Sequence, residues 1–111
     1  MAVTIKQGDS RIIWFNLKVN GEILTPDMIE ELEIYIGDNL RLTFGEGEIK
    51  FDSASNRWYI WPTQEQTFAL DVGSHKVEIR RKYKNPTIDN VLGYDLPEKI
   101  KVKASMSQEV L

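Results

Sequence analysis

The chain has 111 residues, 41% hydrophobic and 28% charged, with a formal net charge of −3, one histidine and no cysteine. That length fits one domain able to bury about two thirds of its unfolded surface, and the composition excludes a disordered tail, a collagen-like chain and a helical membrane span. Without cysteine there is no disulfide framework, thiolate nucleophile or cysteine metal site, and the opening Met1 to Lys6 lacks a signal-peptide pattern. The expected place is therefore the cytoplasm, or a particle assembled there.

The dominant period along the chain is two. Lys6 to Asn20 reads as a strand interrupted at Gly8-Asp9, with Ile13, Phe15, Leu17 and Val19 on the core face and Ile12, Trp14, Asn16 and Lys18 on the other. Asn20-Gly21 is a hairpin signal, because both residues tolerate the positive φ of a type I′ turn. Thr25-Pro26-Asp27 combines a capping threonine with proline at the first helical position, so one helical turn is expected. Leu32, Ile34 and Ile36 then alternate with Glu31, Glu33 and Tyr35 up to a turn at Gly37-Asp38-Asn39. Leu40, Leu42 and Phe44 continue the pattern, and Gly45-Glu46-Gly47 reads as a hairpin turn into Ile49 and Phe51.

Asp52 to Asn56 is a loop by composition. In the strand Arg57 to Trp61, Trp58 and Ile60 point one way and Tyr59 and Trp61 the other. Pro62 stops that strand, and Thr63-Gln64-Glu65-Gln66 has the capping-box pattern before a helical turn reaching Leu70. His75 to Lys84 is a long strand with Val77, Ile79, Arg81 and Tyr83 on one face and Glu78, Arg80 and Lys82 on the other. A loop from Asn85 to about Asn90 precedes a last strand containing Ile100 and Val102.

Seven to nine short strands with only two helical turns point to an antiparallel immunoglobulin-like β-sandwich, with a small barrel as the alternative. The expected organisation is one domain over residues 1–104 and a C-terminal tail over 105–111. The helical turn before the Val77 strand belongs where a sandwich crosses between sheets.

The net charge conceals an asymmetry. Between Glu22 and Asp71 there are eleven acidic and three basic side chains, whereas between Lys76 and Lys103 there are eight basic and four acidic ones. The two stretches either pair across a sheet within one chain or attract each other between copies, head to tail. The basic stretch offers only Tyr83 and Tyr94 for stacking, so nucleic acid is not an expected partner.

Catalytic and cofactor signatures are missing. His75 alone supports neither a multi-histidine metal site nor a histidine acid-base pair, and beside Gly73-Ser74 it reads as a solvated turn residue. No nucleophile-elbow serine motif occurs. Gly45-Glu46-Gly47 lacks the Lys-Ser/Thr of a phosphate loop and is flanked by glutamates. The glutamates at 30, 31, 33, 46 and 48 lack the spacing of a calcium loop. No enzyme activity, cofactor or metal is expected.

Trp14, Trp58, Tyr59 and Trp61 form a large aromatic set for this length. Trp58 and Trp61 lie on opposite faces of one strand, so at least one points away from the core. An outward Tyr59 or Trp61 suits a subunit contact, where aromatics are enriched, or a stacking surface for a pyranose ring. The expected interaction surface comprises Tyr59, Trp61, Arg80 and Lys82.

Four segments together resemble a known group: Val3 to Asp9, Leu32 to Gly37, Thr63 to Leu70 leading through Gly73 into Lys76 to Arg80, and the closing Ser105 to Leu111. They look like short structural proteins of tailed phages and prophages of Gram-positive bacteria. The layout of strand, turn, helical corner and G-x-x-x-V-x-I-R strand is similar to the N-terminal domain of phage baseplate upper proteins, without the long receptor-proximal part that normally follows. The resemblance implies a non-enzymatic virion or assembly component, located in the virion or the bacterial host cytoplasm. Its partners would be other phage structural proteins and further copies of itself, with no membrane. The alternative is a carbohydrate-binding module that recognises host surface glycans through exposed Trp and Tyr.

Overall fold

In a computed structural model, residues 3–19, 21–85, 92–94 and 99–106 are described, with 92–94 described as backbone alone. The chain is mostly β. Its strands are β1 (Val3–Lys6), β2 (Ile13–Phe15), β3 (Leu17–Val19), β4 (Glu22–Ile23), β5 (Ile29–Ile36), β6 (Leu40–Thr43), β7 (Ile49–Asp52), β8 (Arg57–Ile60), β9 (Gly73–Tyr83), β10 (Leu92–Tyr94) and β11 (Lys99–Lys103). A 3-10 turn at Pro26–Met28 and a short helix α1 at Gln64–Phe68 complete it.

Among the described residues three sheets are formed, in the orders β1-β11-β9-β5-β6, β10-β3-β4 and β2-β8-β7. The pairings among these residues are antiparallel except β1 with β11, where Val3 lies opposite Ile100 and Lys6 opposite Lys103. Inward side chains from every sheet join one buried cluster: Ile5, Leu32, Ile34, Ile36 and Val102 from the first, Leu17 and Val19 from the second, and Phe15, Ile49, Trp58 and Ile60 from the third. Burying them supplies the main stabilising term, about 1.5–3 kcal/mol for each large aliphatic side chain.

Alternation places the expected core face of Ile13, Phe15, Leu17 and Val19 inward. The expected single strand nevertheless divides at Asn16. Ile13–Phe15 pairs with β8, while Leu17–Val19 pairs with β4 and β10, so the chain changes sheet without changing its inward face. The β3–β4 hairpin has Gly21 at φ +80°, and its other turn residue, Asn20, lies outside the described residues. The Pro26–Met28 turn forms as expected, but Thr25 does not cap it: its hydroxyl bonds the Asp27 carboxylate instead.

In β5 the two-residue period is broken once. Ile29 and Leu32 are three apart and both buried, because a bulge between Ile29 and Glu31 absorbs the extra residue against β9. Gly45-Glu46-Gly47 is not the expected hairpin turn, because β6 pairs with β5 and β7 pairs with β8, so this turn carries the chain between sheets. Helix α1 likewise connects β8 of one sheet to β9 of another. Its capping box is complete: Thr63 Oγ1 accepts from Gln66 N at 3.2 Å and Gln66 Oε1 accepts from Thr63 N at 2.8 Å.

Strand β10 falls where no strand is expected. Most of the Asn85–Asn90 loop and residues 107–111 of the tail lie outside the described residues.

Candidate functional site

The outer face of the β2-β8-β7 sheet is built by register. Tyr59 on β8 lies between Trp14 on β2 and Lys50 on β7, so the three share one row across the sheet. Their strand neighbours Phe15, Trp58 and Phe51 form the opposed, inward row, in which Trp58 is fully buried. One row thus seals the core while the other faces outward. The rings of Trp14 and Tyr59 are 4.8 Å apart at 47°, and the Arg57 guanidinium lies 5.1 Å from the Trp14 ring centroid. This is a tilted aromatic pair with a cation over one face. Trp14 is 37% exposed.

Trp61, one residue past the end of β8, is the most exposed of the three tryptophans at 57%. Beside it is a depression of about 220 Å³ lined by Leu42, Gly47, Glu48, Lys50, Trp61, Thr63 and Gln66. Its polar groups are held in place. Glu48 Oε1 accepts from Thr43 N and its Oε2 from Gln66 Nε2, each at 3.2 Å, and Gln66 is itself fixed by the capping box.

Arg80 and Lys82 stand elsewhere, on the outward side of β9, and face carboxylates. Register sets Glu33 opposite Arg80 and Glu31 opposite Lys82. Glu33, with a side chain only 14% exposed, accepts a hydrogen bond from Arg41 of β6 and one from the Tyr35 hydroxyl at 3.1 Å, and Arg80 lies 3.9 Å away. Lys82 pairs with Glu30 at 3.1 Å. The Arg41 hydrogen bond, with lesser help from Tyr35 and Arg80, holds the Glu33 carboxyl below the usual carboxylate range, against the opposing effect of burial. Here the acidic and basic stretches meet within one chain, at Glu33–Arg80 and Glu30–Lys82.

The expected surface therefore separates into two parts. Tyr59 and Trp61 belong to the aromatic side, whereas Arg80 and Lys82 belong to an internally compensated charge array. Trp14 and Arg57 join Tyr59, which alternation along β8 does not disclose; the Trp14–Tyr59 pairing depends on strands more than 40 residues apart in sequence. His75 is half-buried in β9, with Nε2 2.6 Å from the Asp71 carbonyl oxygen, and its ring fills the space over Gly37. Among the described residues, no group of three or more His, Asp or Glu side chains is placed to hold a metal ion, and no helix is long and apolar enough to cross a membrane.

Comparison with known proteins yields no match to a family model, a curated protein or a solved structure.

Proposed function

We propose that this chain is a non-enzymatic structural or assembly component of a tailed phage or prophage virion, and that it docks onto other virion subunits through the outer face of the β2-β8-β7 sheet. The Arg57–Trp14–Tyr59 stack carries the reading. It sets two aromatic rings and an arginine, the residue types enriched at interface hot spots, on the rigid outer side of a sheet whose inner side is core. The resemblance of the Val3–Asp9, Leu32–Gly37 and Thr63–Arg80 segments to phage structural proteins supplies the class of partner.

Within this reading the all-β architecture is an immunoglobulin-like sandwich. Three features support that assignment: a first strand parallel to the last, a five-stranded sheet and two smaller sheets sharing one core, and a helical corner between β8 and β9.

Peptide mass spectrometry on particles purified from a phage or induced prophage encoding the chain tests the assignment. Stoichiometric amounts of its peptides are expected in the particle, and their confinement to the soluble lysate would contradict it.

A further inference from the structure

The geometry points to a second binding site that adjoins the docking stack at Lys50: a subsite for a neutral pyranose ring in the depression beside Trp61. An exposed indole supplies an apolar face on which the C–H side of a sugar ring can stack. Around it stand groups suited to hydroxyls. The Glu48 carboxylate accepts, Lys50 donates, Gln66 Nε2 has a second N–H beyond the one given to Glu48, and Thr63 keeps its hydroxyl proton for donation.

Three features separate this site from a chance patch of surface residues. Glu48 and Gln66 are bound to each other and to backbone or capping partners, so their orientation is set before any ligand arrives and little rotamer entropy is lost on binding. Gly47 lines the depression with open space where a Cβ would project, which leaves the floor accessible. The formal charges of Glu48 and Lys50 cancel, favouring a neutral glycan over a polyanionic one. A depression of about 220 Å³ holds one ring, not a long chain, so affinity in the millimolar range is expected.

This inference does not depend on the docking reading. The test is a ¹⁵N-HSQC titration of the purified chain with chitotriose, cellotriose and maltotriose. At least one of these trisaccharides should shift the Trp61 indole N–H and the amides of Gly47, Glu48, Lys50 and Gln66, saturating at millimolar concentration. Trp61→Ala should weaken that binding about tenfold or more, while Lys50→Ala weakens it several-fold and Trp14→Ala leaves it unchanged. If no trisaccharide moves these resonances at about 20 mM, or if Trp61→Ala binds as well as the parent, the site is refuted. That result would leave the virion assignment intact, since the latter rests on particle composition.

Discussion

The Nε1–H of Trp58 donates to the carbonyl oxygen of Leu24 at 2.8 Å, a buried bond joining β8 to the segment between β4 and the Pro26–Met28 turn. Leu24 lies outside any strand, so its carbonyl has no ladder partner, and the indole satisfies it in a place water does not reach. Phe44 and Phe51 pack edge-on to the same indole at 5.8 and 5.1 Å, which fixes its plane and so the direction of the N–H. One side chain thus fills the core and closes a backbone deficit.

Trp58→Phe should therefore cost more than its lost volume. The Leu24 carbonyl is left unsatisfied, worth about 1–3 kcal/mol, and a partial cavity adds to it. Urea unfolding should show a lower midpoint with an unchanged m value. Destabilisation below about 0.5 kcal/mol would mean that the hydrogen bond contributes little.

Thr67 ties the β1–β2 connection to helix α1. Its hydroxyl accepts from Gly8 N at 2.9 Å, and its proton is within reach of the Asp9 and Gln64 carbonyls at 3.0 and 3.1 Å. Thr67→Val keeps the shape and removes these bonds, with an expected loss of about 1–3 kcal/mol. Gly8→Ala should also destabilise, because Gly8 has φ +85° and a Cβ there would lie 2.5 Å from the Phe68 ring. Thermal melts of both variants check the pair of effects.

The depressed carboxyl of Glu33 gives a pH signature with a definite sign. Its folded pKa lies below its unfolded value, so the stabilisation is complete above the unfolded value, about 4.5, and is lost as pH falls through the folded one. Arg41→Ala removes the largest cause. NMR titration should show the Glu33 pKa rising, and the stability deficit of the variant should be present at neutral pH and close as Glu33 becomes protonated. A deficit independent of pH would assign the effect of Arg41 to packing.

Much of the inward architecture was legible from alternation, since Ile13 to Val19 and Leu32 to Ile36 each show which face is buried, whereas Trp58 to Trp61 is apolar on both faces and alternation there separates the faces without choosing between them. The change of sheet at Asn16 was not, because the two-residue period continues unbroken across it. The crossover at Gly45–Gly47 was hidden for a related reason: glycine-rich turns look alike whether the next strand pairs with the last one or departs to another sheet. β10 has three residues and no alternation long enough to detect. At the candidate site, the sharing of one face by Tyr59 and Trp61 followed from β8 alone, and the burial of Trp58 is what turns that face outward. The joining of Trp14 and Arg57 to Tyr59, and the neutralisation of Arg80 and Lys82 by Glu33 and Glu30, depend on pairing between distant strands, which no local pattern encodes.

Trp14 separates docking from folding. Being 37% exposed and held by one ring contact and one cation, it should tolerate alanine with a stability change of about 1 kcal/mol or less, measured by urea unfolding. Incorporation of Trp14→Ala into particles should nonetheless fall well below that of the parent chain.

Hydroxyl-radical footprinting of the chain, free and within purified particles, tests the docking face most directly. Trp14 and Tyr59 should be oxidised in the free chain and protected in the particle, while Tyr35, on the outward side of β5, reacts equally in both and buried Trp58 stays unreactive. Equal oxidation of Trp14 and Tyr59 in the two states would contradict docking through this face.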